Sequence, residues 1–142
     1  MQQWGPEEWG IVGVINPANN NNNTFLSNAI DMSKWSELYV ILQLGAIDIT
    51  IDMKLRDSAT SGGTYADISG KAITQLTGGT QDNNQYIIGL KAEELNAGTQ
   101  FVKVSVTVAN GTSSLICLCV LGKAVYKPAT DNDLTTVAQV VY

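Results

Sequence analysis

The most constraining stretch of this chain is residues 100–127. Val102, Val104, Val106 and Val108 fall on one side of an extended backbone, and Phe101, Lys103, Ser105, Thr107 and Ala109 on the other. That alternation marks a half-buried strand. From Leu115 to Tyr126 both sides are apolar: Leu115, Cys117, Cys119 and Leu121 on one, Ile116, Leu118, Val120 and Ala124 on the other. A strand apolar on both faces belongs in the middle of a sheet with cover on each side. Between the two lies Asn110-Gly111, two residues that tolerate positive φ, which predicts a tight hairpin at the centre of a β-sandwich.

A third segment alternates as cleanly. Ile47, Ile49, Ile51, Met53 and Leu55 share one face, and Asp48, Thr50, Asp52, Lys54 and Arg56 the other. Shorter strands are expected over residues 24–31, 37–44, 65–68, 72–76 and 85–90, separated by loops rich in Gly, Asn, Asp and Ser. Met32 to Ser36 reads as a corner and residues 91–97 as a single helical turn stopped by Gly98. About eight strands and no long helical pattern predict an all-β, antiparallel, jelly-roll-like sandwich.

Residues 1–23 read as an extended N-terminal arm, residues 24–128 as the sandwich, and residues 129–142 as a polar linker followed by a terminal apolar strand. In the arm, Trp4-Gly5-Pro6 and Trp9-Gly10 place large aromatics on a backbone that resists helix. Those tryptophans either fold back over the sandwich or anchor in a neighbouring subunit, where Trp is enriched at energetic centres. Ile11 belongs to a short apolar run in the same arm. Val137, Val140 and Tyr142 lie in the terminal segment, which must pair with its own sheet or with a neighbour's. Trp4, Trp9, Ile11, Val137, Val140 and Tyr142 are therefore the candidate interface residues.

Chemistry is sparse. The 142 residues contain no histidine, so Ser-His-Asp and Cys-His arrangements are excluded. No Gly-rich phosphate loop links a strand to a helix. Asp48 and Asp52 share a face with Lys54 and Arg56, which reads as a solvated charged surface. Asp131-Asn132-Asp133 lacks the Gly and distal Glu of a calcium loop and reads as a turn. Cys117 and Cys119 are too few for a metal site and poorly spaced for a disulfide, so they are expected reduced and buried. No enzyme activity, cofactor or metal is expected.

Charged residues are only 15% of the chain, against roughly 25% in ordinary domains, so the surface is built largely from uncharged polar groups. Such a surface docks on a partner without stranding ions. The net charge of −5 disfavours nucleic acid as a partner. With no basic, apolar leader and no run of about 18 apolar residues, the expectation is a soluble protein made in a cytoplasm, with no membrane partner.

The stretch IDMKLRDSATSGGTYADISGKAITQL, residues 51–76, joins an alternating strand ending in Asp57-Ser58 to a Gly-containing loop and a Tyr-x-Asp-Ile-x-Gly segment. Residues 98–128, GTQFVKVSVTVANGTSSLICLCVLGKAVYKP, end in a Leu-Gly-x-Ala segment and a proline. Together these resemble tailed-phage head decoration, or cement, proteins across residues 38–128. The resemblance implies a jelly-roll-like sandwich on the virion exterior, bound to the major capsid protein and reinforcing contacts between capsid subunits. It also implies a homo-oligomer, a trimer ahead of a dimer, because such proteins sit on symmetry axes. Two other readings stay open: another phage structural subunit of the tail or connector, and a carbohydrate-binding sandwich with a stacking platform drawn from Trp4, Trp9, Trp35 or Tyr65.

Overall fold

The computed structural model describes residues 8–141. The strands are β1 (Trp9–Asn20), β2 (Asn23–Leu26), β3 (Ile30–Asp31), β4 (Trp35–Leu44), β5 (Ile51–Ser58), β6 (Ala66–Ala72), β7 (Gln85–Lys91), β8 (Phe101–Val108) and β9 (Ser114–Ala124). A single 3-10 turn, Ala92–Glu94, follows β7.

Two antiparallel sheets face each other. One runs β1-β9-β4-β7 and the other β2-β8-β5-β6, with β3 also pairing β8. Since β2 and β3 both lie against β8, they act as one interrupted strand, and the count becomes the expected eight. Every connection then crosses between the sheets except β5 to β6. That order is a jelly roll.

The alternation explains the core. Leu38, Val40, Leu42 and Leu44 of β4 and Ile116, Leu118 and Val120 of β9 point inward from the first sheet. They meet Ile51, Met53 and Leu55 of β5 and the four valines of β8 from the second. Ile47, though outside β5, is also buried, and Ile49 packs partly against the core. β5 itself begins only at Ile51, where it pairs with Val108.

Asn110-Gly111 does not close a hairpin. β8 and β9 belong to different sheets, and the connection between them crosses the sandwich. Neither residue takes a positive φ; Asn22, Asn83, Gly70, Gly79 and Gly98 do. Gly111 is needed for close approach instead. A Cβ there would lie 2.8 Å from Ile49 Cβ and 3.0 Å from Asp48 Oδ1. The Asp48 carboxylate holds this crossing by accepting hydrogen bonds from Ser113 N (2.9 Å), Thr112 N and Ser114 Oγ (3.1 Å). Those bonds, the Ser113 amide foremost, keep the Asp48 carboxyl below the usual carboxylate range.

The stretch expected as an arm is, from Trp9 onward, the edge strand β1, paired with β9. Its Gly and Pro residues are absorbed by register shifts between Ile11 and Gly13 and between Ile15 and Ala18. Irregularities of this kind suit an edge strand, where one side of the backbone needs no ladder. Other differences are small. Where strands were expected over residues 65–68 and 72–76, one strand, β6 (Ala66–Ala72), forms, and Leu76 bridges Ile51 outside it.

Candidate functional site

The start of β1 and the C-terminal segment come together. Trp9, Gly10 and Ile11 pair with Lys123, Gly122 and Leu121 of β9. On the open side of β1, Asp133 N donates to Ile11 O at 2.7 Å. Asn132 lies directly on Gly10, where a Cβ would fall 1.7 Å from Asn132 Oδ1. The segment is tied down further by Asn132 Nδ2 to Ala129 O (3.1 Å), by Asn28 Nδ2 to Asp133 Oδ2 (3.3 Å) and by the Lys34–Asp131 ion pair (3.1 Å). Asp131 and Asp133 thus serve as ties for the chain end.

Beyond this anchor the segment forms a groove of about 210 Å³ with the strand. Trp9, Gly10 and Ile11 line one side; Asn132, Leu134, Val137 and Val140 line the other. Of the lining residues Leu134 and Val140 are 48% and 50% exposed, so the groove is open and apolar. Next to it the Lys127 ammonium pairs with the Glu8 carboxylate, whose pKa this hydrogen bond lowers.

Four of the residues singled out from the sequence, Trp9, Ile11, Val137 and Val140, therefore share one site. Trp4 and Tyr142 lie outside the described residues. The expected terminal strand is not formed: residues 137–141 are irregular, and Val137 N bonds back to Leu134 O (3.0 Å). Asp133 N already bonds Ile11 O at the edge of β1. Leu134 and Gly10 were missed. Leu134, a lone apolar residue amid Asp131-Asn132-Asp133 and Thr135-Thr136, was a legible signal; the closeness required at Gly10 was not.

The second exposed apolar feature is the outer face of the β1-β9-β4-β7 sheet. The expectation that β9 is covered on both faces fails here. β9 is central, flanked by β1 and β4, but only its inner face meets the other sheet. Cys117 and Cys119 point outward and are half-buried, free thiols rather than core residues. Burial raises both pKa values, with the neighbouring Cys117 adding to the shift at Cys119. A raised pKa means less thiolate at neutral pH, and the thiolate is the nucleophile. Maleimide labelling of native protein is therefore expected to be slower than that of free cysteine at neutral pH. It should keep rising beyond the pH at which a free thiol has levelled off. A rate equal to free cysteine at neutral pH would contradict this.

A stacking platform of the four aromatics does not assemble among the described residues. Trp35 is 1% exposed and belongs to the core. The Tyr65 ring carries the Lys103 ammonium 4.7 Å from its centroid, and its hydroxyl donates to Ser61 O at 2.9 Å. Among the described residues no three His, Cys, Asp or Glu side chains are grouped to hold a metal ion, and no helix is long and apolar enough to cross a membrane.

Fold and site define a jelly-roll β-sandwich module with an open apolar groove at one sheet edge. No protein-family model and no curated protein matches the chain. Among solved structures it is similar to a protein of the Bacillus endospore appendages, which form a family of disulfide-linked pili: 9% identity, 89% of this chain and 98% of that chain covered, TM-score 0.49. It is also similar to a CBM4 structure, at 12% identity, 81% and 70% coverage and TM-score 0.47.

Proposed function

We propose that this chain is a non-enzymatic structural protein that docks on the outer surface of a phage capsid and reinforces contacts between major capsid proteins. It would act as a homo-oligomer on the virion exterior after synthesis in the host cytoplasm. The observation that carries the docking part is the groove. Apolar side chains from both ends of the chain, Trp9 and Ile11 with Leu134, Val137 and Val140, converge at one open sheet edge. An apolar groove with polar surroundings fits an extended, apolar segment of a protein partner. The capsid as partner rests on the sequence resemblance of residues 38–128 to cement proteins. The low charge of the chain supports a permanent contact, and its acidity suits a position away from the packaged genome.

The groove is open to test by mutation. Val137 and Val140 lie outside every strand, so Val137→Asp with Val140→Asp should change folding stability by no more than roughly 0.5 kcal/mol per site. The same double variant should weaken binding to empty cognate shells by about tenfold or more, the scale of losing one interface hot spot. Binding as tight as that of the unaltered chain would place attachment elsewhere.

A further inference from the structure

We infer that a notch beside Tyr39 and Gly89, on the outward side of the β4–β7 pair, binds the ring of a neutral hexopyranose. This sugar site is separate from the capsid-docking groove and does not depend on it.

The notch starts from a glycine. Tyr39 and Gly89 lie directly opposite each other in the β4–β7 ladder, both at outward positions. Tyr39 is 42% exposed. A Cβ on Gly89 would meet nothing within 4 Å, so the Tyr39 ring does not fold over the glycine as aromatic rings at sheet edges often do. Bare backbone is therefore the floor, and an aromatic ring is one wall. The notch measures about 250 Å³. Pockets for drug-sized molecules run from roughly 300 to 1,000 Å³, so this one suits a single six-membered ring.

Polar groups converge on it from both sheets. Lys71 reaches across from β6, its side chain only 17% exposed. Its ammonium donates to Gly89 O at 2.8 Å and pairs with Glu94 Oε2 at 2.8 Å. Glu94 is fixed in turn by accepting from Lys91 N at 2.8 Å. These groups are held in place before a ligand arrives, so little side-chain freedom is lost on binding. Glu37 lies in register between Lys91 and Lys123 and is half-buried. Among the described residues no hydrogen bond or ion pair holds its carboxylate, which leaves it open to accept from a ligand.

The balance of charge selects the ligand. Glu37, Glu94, Lys71 and Lys91 line the notch, two carboxylates against two ammonium groups. That set has no net attraction for a free anion or cation. It offers charged acceptors and charged donors together, which suits a neutral molecule rich in hydroxyls. A hexopyranose carries hydroxyls around its edge and a C–H face that packs on an aromatic ring. Trp9 borders both the notch and the groove, but Tyr39 supplies the stacking ring. On the other sheet the Tyr65 ring is already taken by the Lys103 ammonium.

Titration of the full chain with methyl β-galactoside, methyl β-glucoside and methyl α-mannoside, followed through amide resonances by NMR, tests this. At least one glycoside should bind with a Kd of about 1–10 mM, the scale of a small open site, and should move the Tyr39 and Gly89 amides. Gly89→Val fills the notch. Gly89 has no positive φ and its Cβ position is open, and strands favour β-branched residues, so this variant should unfold at the same or a higher temperature. It should nevertheless lose sugar binding by about tenfold or more, the scale of one lost hot spot. Tyr39→Ala should lose binding to a similar extent, while Tyr39→Phe should retain it. Glu37→Gln should weaken binding several-fold, because a charged acceptor becomes a neutral one. Val137→Asp with Val140→Asp should bind sugar as the unaltered chain does. No saturable binding of any of the three glycosides, binding that survives Gly89→Val, or displacement of the sugar by inorganic phosphate overturns the inference. A chain that binds sugar but not shells leaves the inference standing and removes the capsid function; a chain that binds shells but not sugar does the reverse.

Discussion

Trp35→Ala is expected to cost about 3–5 kcal/mol of folding stability, the range for deleting a fully buried large aromatic. In a domain of this length that lowers the melting temperature by roughly 10–20 °C. Trp35 is 1% exposed at the start of β4, where a corner delivers the chain into the first sheet. Its ring has shaped its surroundings. A Cβ at Gly122 would lie 2.7 Å from Trp35 Cε3, and one at Gly10 would lie 3.0 Å from Trp35 Cη2. The indole therefore packs under the two glycines that pair β9 with the start of β1. Its removal leaves a cavity beneath the strand that lines the apolar groove. Trp35→Phe, which keeps most of the volume, should lose clearly less. Thermal unfolding of the two variants checks the order; equal small losses would mean that the site collapses around the missing ring.

The second large effect is expected at Asp57. This carboxylate is 1% exposed, yet it sits on the inward-facing side of β5, in line with Ile51, Met53 and Leu55. It accepts hydrogen bonds from Asn96 N at 2.7 Å, Asn96 Nδ2 at 2.8 Å and Thr99 Oγ1 at 2.9 Å. Those donors belong to the connection between β7 and β8, so one side chain fixes a turn that would otherwise be held by few backbone bonds. Asp57→Ala leaves the Asn96 amide and one Asn96 Nδ2 hydrogen without their acceptor, while the single Thr99 hydroxyl proton keeps Asn96 O at 2.7 Å, and each such loss costs about 1–3 kcal/mol where water cannot replace it. The expected total is about 3 kcal/mol or more. Asp57→Asn should be milder, because its amide oxygen still accepts while its NH2 opposes one donor. Urea unfolding gives the totals, and amide exchange at Asn96 should accelerate before the strands do. Asp57→Ala at unaltered stability would show the clasp to be replaceable by solvent.

The sequence carried the jelly roll because the alternations at residues 47–55 and 102–108 are so regular that burial follows from them directly. The Asn110-Gly111 hairpin misled for a physical reason. Turn chemistry reports local conformational freedom, while a crossing between sheets is decided by tertiary ties, here the Asp48 carboxylate and the closeness of Ile49 to Gly111. The apolar outer face of β9 misled in a similar way, since composition shows that a face avoids water without showing what covers it. Trp9, Ile11, Val137 and Val140 stand out in the sequence because they are large apolar groups in segments with few apolar neighbours to cover them. Their meeting in one groove was not legible, because it depends on the bond from Asp133 N to Ile11 O and on the fit of Asn132 over Gly10.

The proposed docking on a capsid exterior is open to a direct test: mixing the purified full chain with expanded empty shells of the cognate capsid and sedimenting the shells. The expected result is that the protein pellets with them, saturating at a fixed ratio to the major capsid protein. Protein that remains in the supernatant at every concentration, while the same shells stay intact, would contradict it.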